Sequence, residues 1–272
     1  NEETLKKEMN NLNWKYIKED GTDTDFINLS FASTAGEDGI RVLEAEEKVQ
    51  LVDEDGVVQG VLDFQPSDVG VYMEDLISIK NGNYYGYYNA LGDLQFGEYD
   101  NAGSFVSGVA AVKVGHEWYL IDETGERLSQ KSYEDIVLNP DQTYIKKNIM
   151  IAKNDGMYQF YDEDEEVISE QKFDNCDVVT KDKKIAVCVN GQWGFVNNKG
   201  EFIIEPQYEN AKSFSNGLAA VCINGKWGFI NEDNLLVIDC QYFDADYFNE
   251  SGCCMVKTTV DTWQMLQLYI VE

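Results

Sequence analysis

Apolar residues in this chain fall into short runs separated by turn-forming residues. Residues 217–223 (GLAAVCI) are almost continuously apolar, 226–231 (KWGFIN) place Trp227 and Phe229 on one face, and 235–238 (LLVI) form a third run. Runs this short, with a spacing of two, predict β-strands rather than helices. Asn224-Gly225 between the first two runs predicts a tight hairpin, because Asn-Gly tolerates the positive φ angles of a type I′ turn. Glu232-Asp233-Asn234 predicts a second turn, and the region of Tyr242 a short, irregular fourth strand. Past a polar leader over residues 1–10, no stretch of about ten residues holds a helical period.

The same pattern recurs along the chain. Residues 190–200 (NGQWGFVNNKG) and 224–234 (NGKWGFINEDN) carry Trp193-Gly194 and Trp227-Gly228. Equivalent anchors are Trp14, Val49, Tyr85, Trp118, Tyr158 and Trp263, so eight anchors follow one another at intervals of 33 to 40 residues. All five tryptophans of the chain lie on an anchor. Two residues after the anchors stand Tyr16, Leu51, Tyr87, Leu120, Phe160, Phe195, Phe229 and Met265. Seven after them stand Gly21, Gly56, Gly92, Gly125 and Gly200, with Glu165, Asn234 and Ile270 as exceptions. Fourteen or fifteen after them stand Phe64, Tyr99, Tyr133, Phe173, Tyr208 and Tyr242.

These residues resemble the WG-containing repeat family of bacterial proteins, strongly over 185–245, moderately over 70–135 and in degenerate form elsewhere. The resemblance implies tandem β-structure and, commonly, an exported or surface-linked bacterial protein; it implies no known reaction. A sheet of three or four strands cannot bury its own face, but stacked copies bury one another's. The expected architecture is therefore all-β, with tandem WG-type β-meander repeats of about 35 residues in a single repeat domain over 11–272. Seven complete periods and the small residues Gly217, Ala219 and Ala220 favour a propeller-like arrangement of about seven units over an open β-superhelix. The five tryptophans are expected to be buried between sheets. The glycine after the anchor is expected to make room for a facing ring or to allow a bulge.

Charge narrows the partners. Lys plus Arg is 21 against 50 Asp plus Glu, a net charge of −29. Such a surface repels phosphate backbones, so nucleic acid is not an expected partner, and no apolar run is long enough to insert in a membrane. An unknown protein or glycan remains as partner.

Candidate chemistry is sparse. His116 is the single histidine; any Ser-His-Asp or Cys-His site must use it, yet it lies in a hairpin turn before Trp118. Cys176, Cys188, Cys222, Cys240, Cys253 and Cys254 include no Cys-x-x-Cys pair. Cys188 and Cys222 share a repeat position and read as small buried apolar residues. Acidic runs at 20–25, 53–56 and 162–166 lack the spacing of a calcium loop and sit in turns, where Asp is ordinary turn chemistry. Tyr84 and Tyr88 are the aromatic residues left over for stacking on a sugar. No catalytic, cofactor-binding or metal-binding residue is assigned. The expectation is a non-enzymatic binding or scaffold repeat protein of bacterial type, exported or on the cell surface. The alternative is a carbohydrate-binding module or a glycan-active enzyme using acidic residues.

Crowded carboxylates repel, and salt screens that repulsion over roughly 8–10 Å. Sodium chloride should therefore raise the melting temperature near neutral pH. Calcium chloride at matched ionic strength should add nothing further; a calcium-specific rise reversed by a chelator would mark the acidic turns as a metal site.

Overall fold

The computed structural model describes residues 14–17, 23–33, 39–45, 48–249 and 251–267. The leader read over 1–10, Gly21 and the Asp20 end of the first acidic run lie outside them, as does the side chain of Trp14. The described residues contain no α-helix. They form seven antiparallel sheets taken up in chain order, each built from consecutive strands. The chain divides into two compact units, Asn1–Ser132 with Pro140–Tyr144, and Tyr133–Asn139 with Ile145–Glu272.

The first unit holds a five-stranded sheet over 14–62, a four-stranded sheet over 68–99 and a three-stranded sheet over 101–122. The second holds four-stranded sheets over 135–161, 175–208 and 210–242 and a three-stranded sheet over 244–267. The sheet over 210–242 shows the plan. A two-residue first strand, Asn210–Ala211, pairs with Leu218–Ile223, which pairs with Lys226–Asn231, which pairs with Leu236–Tyr242. The predicted hairpin is present, with Asn224 and Gly225 at φ 53° and 69°.

The second strand is apolar on both faces because it is covered on both. Ala219 and Val221 pack with Phe195, Tyr208 and Phe214, toward the preceding sheet. Ala220 packs with Phe229, Phe248 and Val256, toward the following one. A strand buried on two faces reads as a continuous apolar run.

A ring pair ties three of the sheets to the next one in the chain. The aromatic two residues after the anchor meets a Phe just past the next sheet's first strand, edge to face. Ring centroids are 4.9 Å apart for Tyr87–Phe105, 4.8 Å for Phe195–Phe214 and 4.9 Å for Phe229–Phe248. All six rings are fully buried. Such pairs contribute about 0.5–1.5 kcal/mol beyond the area they bury.

The tryptophans are less buried than expected. Trp118 is 3% exposed, but Trp193, Trp227 and Trp263 are half-buried. Register alone does not set this, because Trp118 occupies the same place in its sheet, opposite Lys113. Trp227 lies opposite Cys222, whereas Lys113 carries its ammonium over the Trp118 ring, 5.9 Å from the centroid. Phe229, two residues deeper, is sealed by the following sheet.

The glycine after the anchor serves a bulge. Trp227 pairs with Tyr242 and Phe229 with Ile238, so two steps on the third strand meet four on the fourth. The extra residues fold onto the bare glycine. A Cβ on Gly228 would lie 2.5 Å from the Ile238 oxygen and 2.7 Å from the Cys240 nitrogen. On Gly194 it would lie 2.6 Å from the Ile204 oxygen and 2.7 Å from the Pro206 nitrogen.

The turn after the third strand is equally uniform. Oδ1 of Asn89, Asp122, Asp162, Asn197 and Asn231 accepts the N–H groups two and four residues on, at 2.9–3.1 Å. The residue seven after the anchor takes a positive φ, 78° at Gly200 but also 58° at Glu165 and 61° at Asn234. The two exceptions to glycine among the described residues have a use. Tyr133 donates its hydroxyl to Glu165 at 2.7 Å, and Tyr208 donates to Asn234. Where the preceding repeat ends in Phe64 or Phe173, with no hydroxyl to satisfy, the position is Gly92 or Gly200, but Gly125 follows Tyr99 as well.

Phe229→Ala should cost about 3–5 kcal/mol as a truncation in a sealed core, and Trp227→Ala less. Gly228→Ala should cost about 1–3 kcal/mol, because the neighbours are backbone and yield poorly. Denaturant unfolding of the three variants checks the order; a larger loss at Trp227 would make the tryptophan the principal anchor.

Candidate functional site

Most of the sequence-level candidates are part of the framework. His116 is exposed in its hairpin turn. Asp53 and Asp162 accept backbone N–H groups of their own turns. Another set of carboxylates caps hairpin tips. Asp100 accepts the Gly115 N–H at 2.6 Å, Glu134 that of Gly156, Asp174 that of Asn190 at 2.6 Å, and Glu209 those of Asn224 and Gly225 at 2.9 and 2.8 Å.

All six cysteines are free thiols. Cys188 and Cys222 are buried, as read from the sequence. They lie opposite the anchors Trp193 and Trp227, where other repeats place Lys80, Lys113, Lys153 and Lys257 over the anchor ring, 5.3–5.9 Å from its centroid. Burial pushes the Cys176, Cys188, Cys222 and Cys240 thiols up, and that of Cys254 up to about 12. Such thiols are poor nucleophiles at neutral pH. Tyr84 is exposed but Tyr88 is 5% exposed, so the two do not make a stacking surface.

One polar constellation departs from the repeat, and sequence reasoning missed it. The first strands of three successive sheets in the second unit begin at Asn175, Asn210 and Asp244, whose Oδ1 each accepts the next N–H at 2.9 Å. Two residues further stand Asp177, Lys212 and Asp246, held by equivalent backbone hydrogen bonds to Ala186, Ala220 and Met255. Elsewhere this column carries Gly70, Gly103 and Val137. Lining up the first strands would have exposed the change, but a two-residue strand has no periodicity by which to find it.

The three residues meet through Tyr247. Its hydroxyl donates to Asp177 Oδ1 at 2.6 Å, and the Ser213 N–H donates to Asp177 Oδ2 at 2.6 Å. Lys212 Nζ lies 3.5 Å from Asp246 Oδ1 and 5.1 Å from the centroid of the Tyr247 ring. The Tyr247 N–H closes the group on Asp246 Oδ1 at 2.9 Å. Burial raises the Asp177 carboxyl above its ordinary range, against the pull of its donors. Burial also pushes Asp246 up, but Lys212 and then the Tyr247 N–H lead a stronger pull that leaves it below the ordinary value. Desolvation and the neighbouring Asp177 hold the Tyr247 phenol protonated. The arrangement holds one carboxyl with a raised pKa beside one with a lowered pKa, and it bridges three sheets.

Three stretches of the chain, residues 85–118, 193–227 and 227–258, match the WG containing repeat, so the chain carries repeats of that family. The matched unit is out of step with the sheets: 193–227 runs from the third strand of one sheet to the third strand of the next. Each such unit therefore spans a ring pair. No curated protein matches the chain. Among solved structures it is similar to one titled a eukaryotic initiation factor, at 13% identity and TM-score 0.57, over 84% of this chain and 70% of that one. It is also similar to Hsv2 of Kluyvelomyces marxianus, at 9% identity and TM-score 0.52, over 89% and 99%. At these identities the likeness concerns the fold alone, which is all-β with propeller-like, four-stranded antiparallel sheets.

The two carboxyls should respond to pH in opposite senses. Asp177, raised, costs stability as pH climbs through its folded pKa and returns it on acidification; Asp246, lowered, contributes above the ordinary carboxylate range and loses that as pH falls. Asp177→Asn should therefore match or exceed the parent near pH 7, while Asp246→Asn should be weaker there and converge on the parent in acid. Urea unfolding at about pH 7 and about pH 4.5 tests this; a large loss for Asp177→Asn at neutral pH would show that the ionised form stabilises the fold.

Proposed function

We propose that this chain is a non-enzymatic binding or scaffold repeat protein of bacterial type, acting outside the cell or at its surface on a protein or glycan partner. The observation that carries this reading is how the polar groups are used. Turn carboxylates hold N–H groups, and the charged residues that depart from the repeat are spent on one another across three sheets. A rigid body with its polar groups committed to its own framework suits presentation of a surface better than turnover. The repeat family supports the binding or scaffold part of the reading, and the bacterial and surface parts rest on the family resemblance.

A second reading has one observation in its favour. Asp177 and Asp246 are driven in opposite directions, as in carboxylate pairs that divide acid and base roles on glycans. A glycan array run beside hydrolysis assays on the same glycans separates the readings. The expected result is no turnover. Hydrolysis that disappears in Asp177→Asn would establish the enzyme instead.

A further inference from the structure

The last strand of each four-stranded sheet is an edge, and an exposed edge is a template for pairing unless it is blunted. In the sheet over 175–208 the edge strand Phe202–Tyr208 carries Pro206 between Glu205 and Gln207. In the sheet over 68–99 the edge strand Leu94–Tyr99 carries Gly97, and Glu98 at a φ of 95°. The sheet over 210–242 keeps the bulge and carries Asp239, but its edge strand Leu236–Tyr242 (LVIDCQY) lacks both the proline and the glycine. Cys240 stands where the preceding repeat has Pro206: both nitrogens lie 2.7 Å from the Cβ position of their facing glycines. The ladder of the preceding sheet forms without an N–H at this place, so a proline fits there without loss to the ladder. Leu235, Leu236 and Val237 are 59, 46 and 48% exposed at the start of the same edge. Among the described residues no further strand pairs with it.

We propose that Leu236–Tyr242 is a docking edge that accepts an extended segment of a second protein, alternating aliphatic and basic residues, as an added antiparallel strand. The aliphatic part follows from the exposed Leu235–Val237 end, which an added strand covers. The basic part follows from charge. Asp239 is exposed in the middle of the edge and Asp233 in the turn before it, and the chain as a whole carries −29. That field steers cationic segments in and opposes a second copy of the chain. Main-chain hydrogen bonds along the edge supply affinity and alternate side chains supply selection. This inference rests on the binding reading above and names its surface.

The test uses the whole chain and a labelled peptide of about eight residues alternating valine and lysine, the length of one edge strand, followed by fluorescence anisotropy. Cys240→Pro restores the proline that the preceding repeat tolerates in the same bulge. Leu236→Lys adds the charge that natural edges use, at a side chain already in solvent. Both variants should keep the parent's melting temperature and bind the peptide at least about tenfold more weakly. A peptide alternating valine and glutamate should not bind. Equal binding by the parent and Leu236→Lys, or by the two peptides, would overturn the proposal. So would a parent that sediments as a dimer which Leu236→Lys dissolves, since the occupant would then be a second copy. If the basic peptide binds parent and variants alike, the edge is wrong but the chain still binds; if neither this peptide nor any arrayed ligand is retained, the binding reading itself fails.

Discussion

The edge-to-face contact that Tyr87, Phe195 and Phe229, two residues past their anchors, make with the Phe that follows the next first strand is the interaction on which the rest depends. Each sheet is too small to bury its own face, so its stability lies in the sheet beside it. Phe195–Phe214 and Phe229–Phe248 repeat the contact at nearly the same distance and tilt. Fixing those rings fixes how far apart successive sheets stand. The second strand, squeezed from both sides, is apolar throughout and in the sheet over 210–242 uses the small residues Ala219, Ala220 and Val221. That spacing also leaves the outer strand to bulge over the glycine after the anchor.

Because the contact joins neighbours, the natural unit of the chain runs from anchor to anchor and not from sheet to sheet. The matched stretch 193–227 follows that frame. The hydroxyl bonds of Tyr133 to Glu165 and of Tyr208 to Asn234 follow it too, since each links the end of one unit to a turn of the next. The non-glycine residues there accept a strained backbone in return for satisfying a phenol.

The acidic character has a local logic as well as a global one. Asp100, Glu134, Asp174 and Glu209 follow the ring that closes a repeat and turn inward to hairpin N–H groups. Part of the charge is thus spent on holding hairpins in place. The remainder gives the surface its sign, and with it the kind of partner that an open edge attracts.

The sequence by itself determined the repeat, its strands and its turns. The period, the Asn-Gly hairpins and the glycine seven past the anchor are local rules of backbone conformation, and local rules are written in adjacent residues. It also identified Cys188 and Cys222 as buried, because both lie in apolar runs. Three matters were decided only by tertiary structure. Trp193 and Trp227 are half-buried while Trp118, at the same register, is sealed, a difference set by the packing around each ring that composition does not encode. The glycine after the anchor serves a bulge in a strand more than ten positions further on, and that pairing is set by register. Asp177, Lys212 and Asp246 lie about 34 residues apart in sequence, and Tyr247 brings them together only because stacked sheets align their first strands. Residues that meet through stacking carry no signature in the intervening chain, so their grouping appears only once the sheets are packed.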